Sequence, residues 1–248
     1  MKIFQLHRLI YGSLVLLMMT AGNACFGQLN PRIDIGFTVS FFDQETAPNE
    51  DPALVASFDN SNRVAFELGY GYEFRVNQGL GFYAGLFYSE RGGGYKTKNP
   101  DVVYVNQFNG QQVDDAYNYL RYRLAYFEIP LLVKFNLFSI LPPQDDESAL
   151  NLFAGVSPMV NVGSKLRYNV FEGSSDVDEK WESEKLDGAE VFVIAWNAGV
   201  EWRGGPLIFY GRYSAALTDV YDTSKDGFEN YDVKMATVSF GMAFLLNY

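Results

Sequence analysis

Val64-Ala65-Phe66-Glu67-Leu68-Gly69-Tyr70-Gly71-Tyr72-Glu73-Phe74-Arg75-Val76 is the stretch whose reading decides the fold. Its even positions are Val64, Phe66, Leu68, Tyr70, Tyr72, Phe74 and Val76; its odd positions are Ala65, Glu67, Gly69, Gly71, Glu73 and Arg75. Large apolar residues thus alternate with small or charged ones. A strand sends these two sets to opposite faces, whereas a helix would mix them. At about 3.3 Å per residue the stretch spans roughly 40 Å, enough for a tilted strand to cross a bilayer.

The same period recurs on both sides. It predicts strands over 32–43 (Ile33, Ile35, Phe37, Val39, Phe41 in phase), 64–76, and 80–95 (Leu80, Phe82, Ala84, Leu86, Tyr88). Others are predicted over 119–138, 149–168 (Leu152, Ala154, Val156, Val160, Val162) and 189–203 (Phe192, Ile194, Trp196, Ala198, Val200, Trp202). The last two are 207–220 (Leu207, Phe209, Tyr213, Leu217) and 233–248 (Val238, Phe240, Met242, Phe244, Leu246, Tyr248). In the fourth, Leu120, Tyr122 and Leu124 are even, while Phe127, Ile129, Leu131, Val133 and Phe135 are odd. A bulge near Ala125-Tyr126 accounts for such a switch, and Pro130 removes a ladder donor close by. The turns Asn77-Gln78-Gly79 and Gly204-Gly205-Pro206 are tight, and the joint 139–148 is longer. Segments 44–60, 96–118, 169–188 and 221–232 are long and polar. Short turns at one end and long loops at the other describe an up-and-down antiparallel barrel of about eight strands in an outer membrane, the size of the OmpA- and OmpX-type barrels.

Composition agrees. The chain has 248 residues, 17% of them aromatic, a mix that favours strands. Lys2 and Arg8, the apolar run 9–20 and the small residues after it have the order of a secretory signal peptide. Cleavage after Gly27 is expected, giving a signal of 1–27 and a barrel domain of 28–248. The sole histidine, His7, and the sole cysteine, Cys25, then leave with the signal, unless Cys25 is lipidated. Without them the chain forms no Ser-His-Asp or Cys-His catalytic group and no His- or Cys-ligated zinc site. The expectation is a chain that is not an enzyme and carries no cofactor or metal. Its formal net charge of −11 at pH 7 argues against nucleic acid as a partner. After the signal no apolar run is long enough for a spanning helix, so insertion must use strands.

Alternation alone does not separate a soluble, lipocalin-like barrel from a membrane barrel turned the other way. Side-chain size favours the membrane form: Gly69, Gly71, Gly81, Gly85, Gly155, Gly163 and Gly199 lie on the polar face, as suits a narrow lumen. The few charges in phase with them are Glu67, Glu73, Arg75, Glu128, Lys134, Glu201 and Arg212. Turned into a lumen they must pair or meet water, so a lumen charge network is expected, with Arg212 near Glu201. Tyr70, Tyr72, Tyr88, Trp202 and Tyr248 suit interfacial girdles or packing. Ser239, Gly241, Phe244, Leu246 and Tyr248 fit the signal read by the outer-membrane assembly machinery.

Tyr126-Phe127-Glu128-Ile129-Pro130-Leu131-Leu132-Val133-Lys134-Phe135 resembles the recurring Tyr-x-Glu-Ile-Pro-Leu-Leu-x-Lys-Tyr segment of the PorT-like, porin-family outer-membrane proteins of Bacteroidetes. Leu86 to Gly92, Gly199-Val200-Glu201 and Arg212 to Val220 resemble other strands of that family. The resemblance implies an eight-stranded barrel in the outer membrane, and for a few relatives a part in type IX secretion. The acidic segment 172–187 has no calcium-loop spacing and reads as a solvated loop. The Gly-rich segments Gly69-Tyr70-Gly71 and 91–94 lack the helix that follows a phosphate loop. Asp114-Asp115 and Asp145-Asp146 read as exposed loop charges. Three roles stay open: a structural or partner-binding barrel with a filled lumen and long acidic loops, a small gated pore for ions or solutes, or a secretion accessory. Expected partners are outer-membrane lipid, the assembly machinery during insertion, and a protein bound through the long loops.

Overall fold

The computed structural model describes residues 29–44, 59–98, 104–105, 112–113, 117–137, 148–172, 178–186, 188–222 and 232–247. The expected signal peptide with His7 and Cys25, most of the long loops, and Tyr248 lie outside them. The strands are β1 (Leu29–Gln44), β2 (Asp59–Ser61), β3 (Arg63–Arg75), β4 (Leu80–Lys98), β5 (Tyr104–Val105), β6 (Gln112–Val113) and β7 (Tyr117–Glu128). They continue as β8 (Leu131–Asn136), β9 (Ser148–Glu172), β10 (Asp178–Lys185), β11 (Phe192–Gly204), β12 (Leu207–Ala216), β13 (Tyr221–Asp222) and β14 (Asp232–Leu245).

The main sheet runs β1-β3-β4-β7-β9-β11-β12-β14, and β14 pairs back onto β1. Closure is long, from Arg32 opposite Leu245 to Gln44 opposite Val233. Every pairing along this path is antiparallel. The result, among the described residues, is a closed eight-stave barrel with no free edge, the arrangement that satisfies backbone polar groups inside lipid. No helix among the described residues is long and apolar enough to cross a membrane.

β7 and β8 together form one stave. Glu128 faces Phe87 and Met159, and Leu131 faces Ala84 and Val156, so the register is the same on both sides of the interruption. The break covers Ile129 and Pro130; Pro130 lacks an N–H, but its carbonyl still accepts from Gly85 N at 3.3 Å, and Ile129 N donates to Pro158 O at 3.0 Å. The register does shift at Ala125/Tyr126, but the extra residue is Val162 on β9, between Asn161 and Gly163. The bulge is therefore on the neighbouring strand. Parity in β7 does not change: β4–β7 pairing runs unbroken from Phe87–Glu128 to Lys98–Tyr117. Tyr122, Leu124 and Tyr126 instead face inward, where the loop end of the lumen is apolar.

Strand ends differ from the sequence reading where the bilayer no longer imposes alternation. β9 runs on to Glu172 and returns as β10, a stretch read as loop because its charged sequence shows no apolar period. β11 begins at Phe192 rather than 189, with Ala189 forming an isolated bridge to Tyr221. β12 ends at Ala216 rather than 220, and β14 at Leu245 rather than 248.

The tight turns lie at the same end as residue 29 and the end of β14. Asn77 Oδ1 accepts from Gly79 N and Leu80 N, both at 2.8 Å, closing β3–β4. Gly205 adopts φ 61°, a left-handed conformation that glycine takes with no Cβ penalty, to close β11–β12. The outer face is a belt of exposed apolar side chains, among them Phe37, Phe66, Leu86, Val156, Trp196, Phe209 and Phe240. Such a continuous apolar surface is tolerated in lipid and not in water.

Candidate functional site: the barrel lumen

Closure brings the inward residues of all eight staves into one narrow space, stacked in layers from the turn end to the loop end. At the turn end, Arg32 joins Asp34 (Nη2–Oδ1 2.5 Å) and Glu201 (Nη1–Oε2 3.0 Å). Lys134 Nζ bonds Glu73 Oε2 at 2.9 Å and also contacts Glu201. Asn151 donates to Glu201 at 2.9 Å. Arg75 reaches Glu73 at 3.5 Å from the rim and is the most exposed member.

Next come four large side chains, Tyr83, Phe87, Leu132 and Phe153, packed as a cluster. The inward glycines give them room. A Cβ on Gly69 would lie 2.6 Å from the Phe87 ring, and one on Gly85 2.6 Å from Tyr83 Oη. Tyr83 then donates to Asp34 Oδ2 at 2.9 Å, and its ring lies 4.2 Å from the Arg32 guanidinium carbon. This large–small complementarity is the physical reason for Gly69, Gly71, Gly85 and Gly199 on the polar face; Gly163, read with them, lies exposed opposite Ala125 on the outward face, because the extra residue Val162 shifts the parity of β9 just before it.

A second charge layer follows. Arg212 reaches Glu67 (Nη2–Oε2 2.5 Å) and Glu128 (Nη1–Oε1 3.2 Å), and Arg91 holds the other oxygen of Glu128. Glu67 also accepts from Tyr210 Oη at 2.8 Å and Ser239 Oγ at 3.2 Å. Glu67 and Glu128 are 0% exposed. Beyond them Phe42, Leu124, Tyr126, Met159, Val193 and Met235 belong to one buried apolar cluster that fills the loop end. The space left among Arg32, Tyr83, Phe153, Tyr210 and Arg212 is about 10 Å³, at most a single water.

Of the charges singled out in the sequence, Glu67, Glu73, Glu128, Lys134, Glu201 and Arg212 all lie buried in the lumen, with Arg75 at its rim. The expected pairing of Arg212 with Glu201 does not form. It contacts Glu67 and Glu128, while Glu201 goes to Arg32 and Lys134. The reason is geometric: in a narrow barrel a long inward side chain reaches across the lumen as readily as to its neighbour strand. Arg32, Asp34 and Arg91 were missed, although the alternation at Ile33, Ile35 and Leu86, Tyr88 already assigns their positions to the inner face. At the C-terminal strand, Ser239 points inward to Glu67, whereas Phe244 and Leu246 face outward.

A family model described as outer membrane protein beta-barrel domain matches residues 26–222. No curated protein sequence matches the chain. Among solved structures the fold is similar to that of Ail, the attachment invasion locus protein of Yersinia pestis, with 15% identity, 89% of this chain and 100% of that one covered, and a TM-score of 0.40. It is also similar to OprG from Pseudomonas aeruginosa (9% identity, 90% and 98% covered, TM-score 0.43). A third is the outer membrane protease OmpT from Escherichia coli (10%, 88% and 96%, TM-score 0.37).

Proposed function

The chain belongs to the outer membrane protein beta-barrel domain family, and from that premise we propose that it is a sealed, non-catalytic barrel that anchors extracellular strands and loops for a structural or partner-binding role. The observation that carries this reading is the lumen. Two charge layers, an aromatic layer and an apolar plug occupy it in series, and Glu67, Glu128, Arg91 and Arg212 are almost wholly buried. Each carboxylate of the two charge layers is already engaged by a cation: Asp34 by Arg32, Glu67 by Arg212, Glu73 and Glu201 by Lys134, Glu128 by Arg91. Carboxylates so neutralised are poorly placed to act as general base or nucleophile. The Glu128-Ile129-Pro130 segment supports a place among PorT-like proteins, with Glu128 at the centre of the inner network and Pro130 at the one break in its stave.

Planar-bilayer recording tests the reading. The reconstituted barrel is expected to stay silent, and so is Arg212→Ala, because the apolar plug lies in series with the charges. A steady open level that Arg212→Ala enlarges overturns it in favour of a gated pore.

A further inference from the structure

Beyond the apolar belt, β7 and β9 carry a second, outward-facing surface of different chemistry. On β9 the outward series Val156, Val160, Val162 gives way to Lys165 and Arg167; on β7, Phe127 and Ala125 give way to Arg123 and Arg121. The cations stand directly opposite one another, Arg123 facing Lys165 and Arg121 facing Arg167, and Lys165 also faces Lys185 on β10. Like charges in register repel. The chain as a whole is strongly acidic, with a net charge of −11, so this concentration of basic side chains goes against its composition.

Local partners satisfy only part of it. Arg123 reaches Glu90, which also takes Arg63 at 3.1 Å. Among the described residues no carboxylate lies within ion-pair distance of Arg121, Lys165 or Arg167. Two carboxylates of β10, Glu182 and Glu184, alternate with Trp181, Ser183 and Lys185 and take the other face, where Glu182 accepts from Tyr168 Oη at 3.1 Å. Aromatic rings hold the guanidinium groups instead. Arg121 lies 4.9 Å from the Tyr119 ring and 4.7 Å from that of Trp181, and Arg167 lies 5.6 Å from Trp181. Tyr119 and Trp181 pack on each other at 5.9 Å.

We propose that the outward face formed by Arg121, Lys165 and Arg167, backed by Tyr119 and Trp181, binds phosphate groups of lipid headgroups in the outer leaflet. Planar guanidinium groups match phosphate oxygens in pairs. The position selects lipid over free phosphate as the source. Lys165 lies about 10 Å along the strand beyond Val162, which the tilt of barrel strands reduces to roughly 7 Å along the membrane normal. That is headgroup depth. The proposal needs the outer-membrane placement and is independent of whether the lumen conducts.

The test uses barrel purified from outer membranes and stripped of lipid in detergent. A bis-phosphorylated lipid A and its dephosphorylated counterpart are titrated in mixed micelles, and retention is read by native mass spectrometry. The wild type is expected to retain the phosphorylated lipid at least about tenfold better, and Arg121→Gln/Lys165→Gln/Arg167→Gln to lose that preference. Arg121→Lys/Arg167→Lys should keep part of it. Gel mobility before and after boiling shows that each variant is folded, and Arg167→Gln alone serves if the triple variant is not. Equal retention of the two lipids, or an unchanged preference in the folded variants, overturns the proposal. So does full competition by millimolar inorganic phosphate, which would make the surface a site for the free anion.

Discussion

Replacing Arg212 with Leu removes the one cation that joins Glu67 to Glu128. Both carboxylates are 0% exposed. Glu67 would keep Tyr210 and Ser239, which are neutral donors, and Glu128 would keep Arg91. Removing one partner of a buried pair costs about 3–5 kcal/mol, because the remaining charge is left in a poor solvent. Most of that cost arises at Glu67, which contacts no other cation among the described residues. Glu67→Leu alone leaves Arg212 with Glu128 and is expected to cost less. The double variant removes both charges together, so it should recover about 2–3 kcal/mol relative to the sum of the two single changes. The assay is equilibrium urea unfolding in lipid vesicles, followed by tryptophan fluorescence. Additivity of the single changes to within about 0.5 kcal/mol would refute the reasoning, since it would mean the two groups do not interact across the lumen.

Two further substitutions probe the other layers. Gly69→Ala drives a Cβ into the Phe87 ring at 2.6 Å and should cost about 1–3 kcal/mol as overpacking, much of it regained with Phe87→Leu; an unchanged urea midpoint would show that the aromatic layer is not packed on glycine. Met242→Arg, at the centre of the outward series on β14, should cost about 2–4 kcal/mol in vesicles, and Leu246→Arg at the turn end about 0–1 kcal/mol. Equal costs at the two depths would contradict the placement of the belt.

The barrel was legible because residues 64–76 alternate without interruption, and because tight turns and long loops alternate along the chain. Inner and outer faces were readable from size: Gly69 and Gly71 share a face with Glu67 and Glu73. The apolar plug was hidden for the same reason. Tyr122 and Leu124 read like any outward apolar set and Tyr126 like part of a bulge, and only continuous pairing with β4 shows that all three point inward. Partners across the lumen were hidden too, since Arg212 and Glu67 stand 145 positions apart and meet only when the sheet closes. β10 escaped notice because its sequence carries no apolar period.

The central claim is that the large apolar side chains face lipid while the lumen is filled and charged. Trp196 and Trp202 both lie on the outward face, and Trp181→Phe leaves them as the chain's only tryptophans. This variant should be refolded into vesicles whose acyl chains carry bromine. Strong quenching by the bromolipid, with little by aqueous acrylamide, is the result expected of this orientation. Emission untouched by bromine and quenched from water would contradict it and turn the barrel inside out.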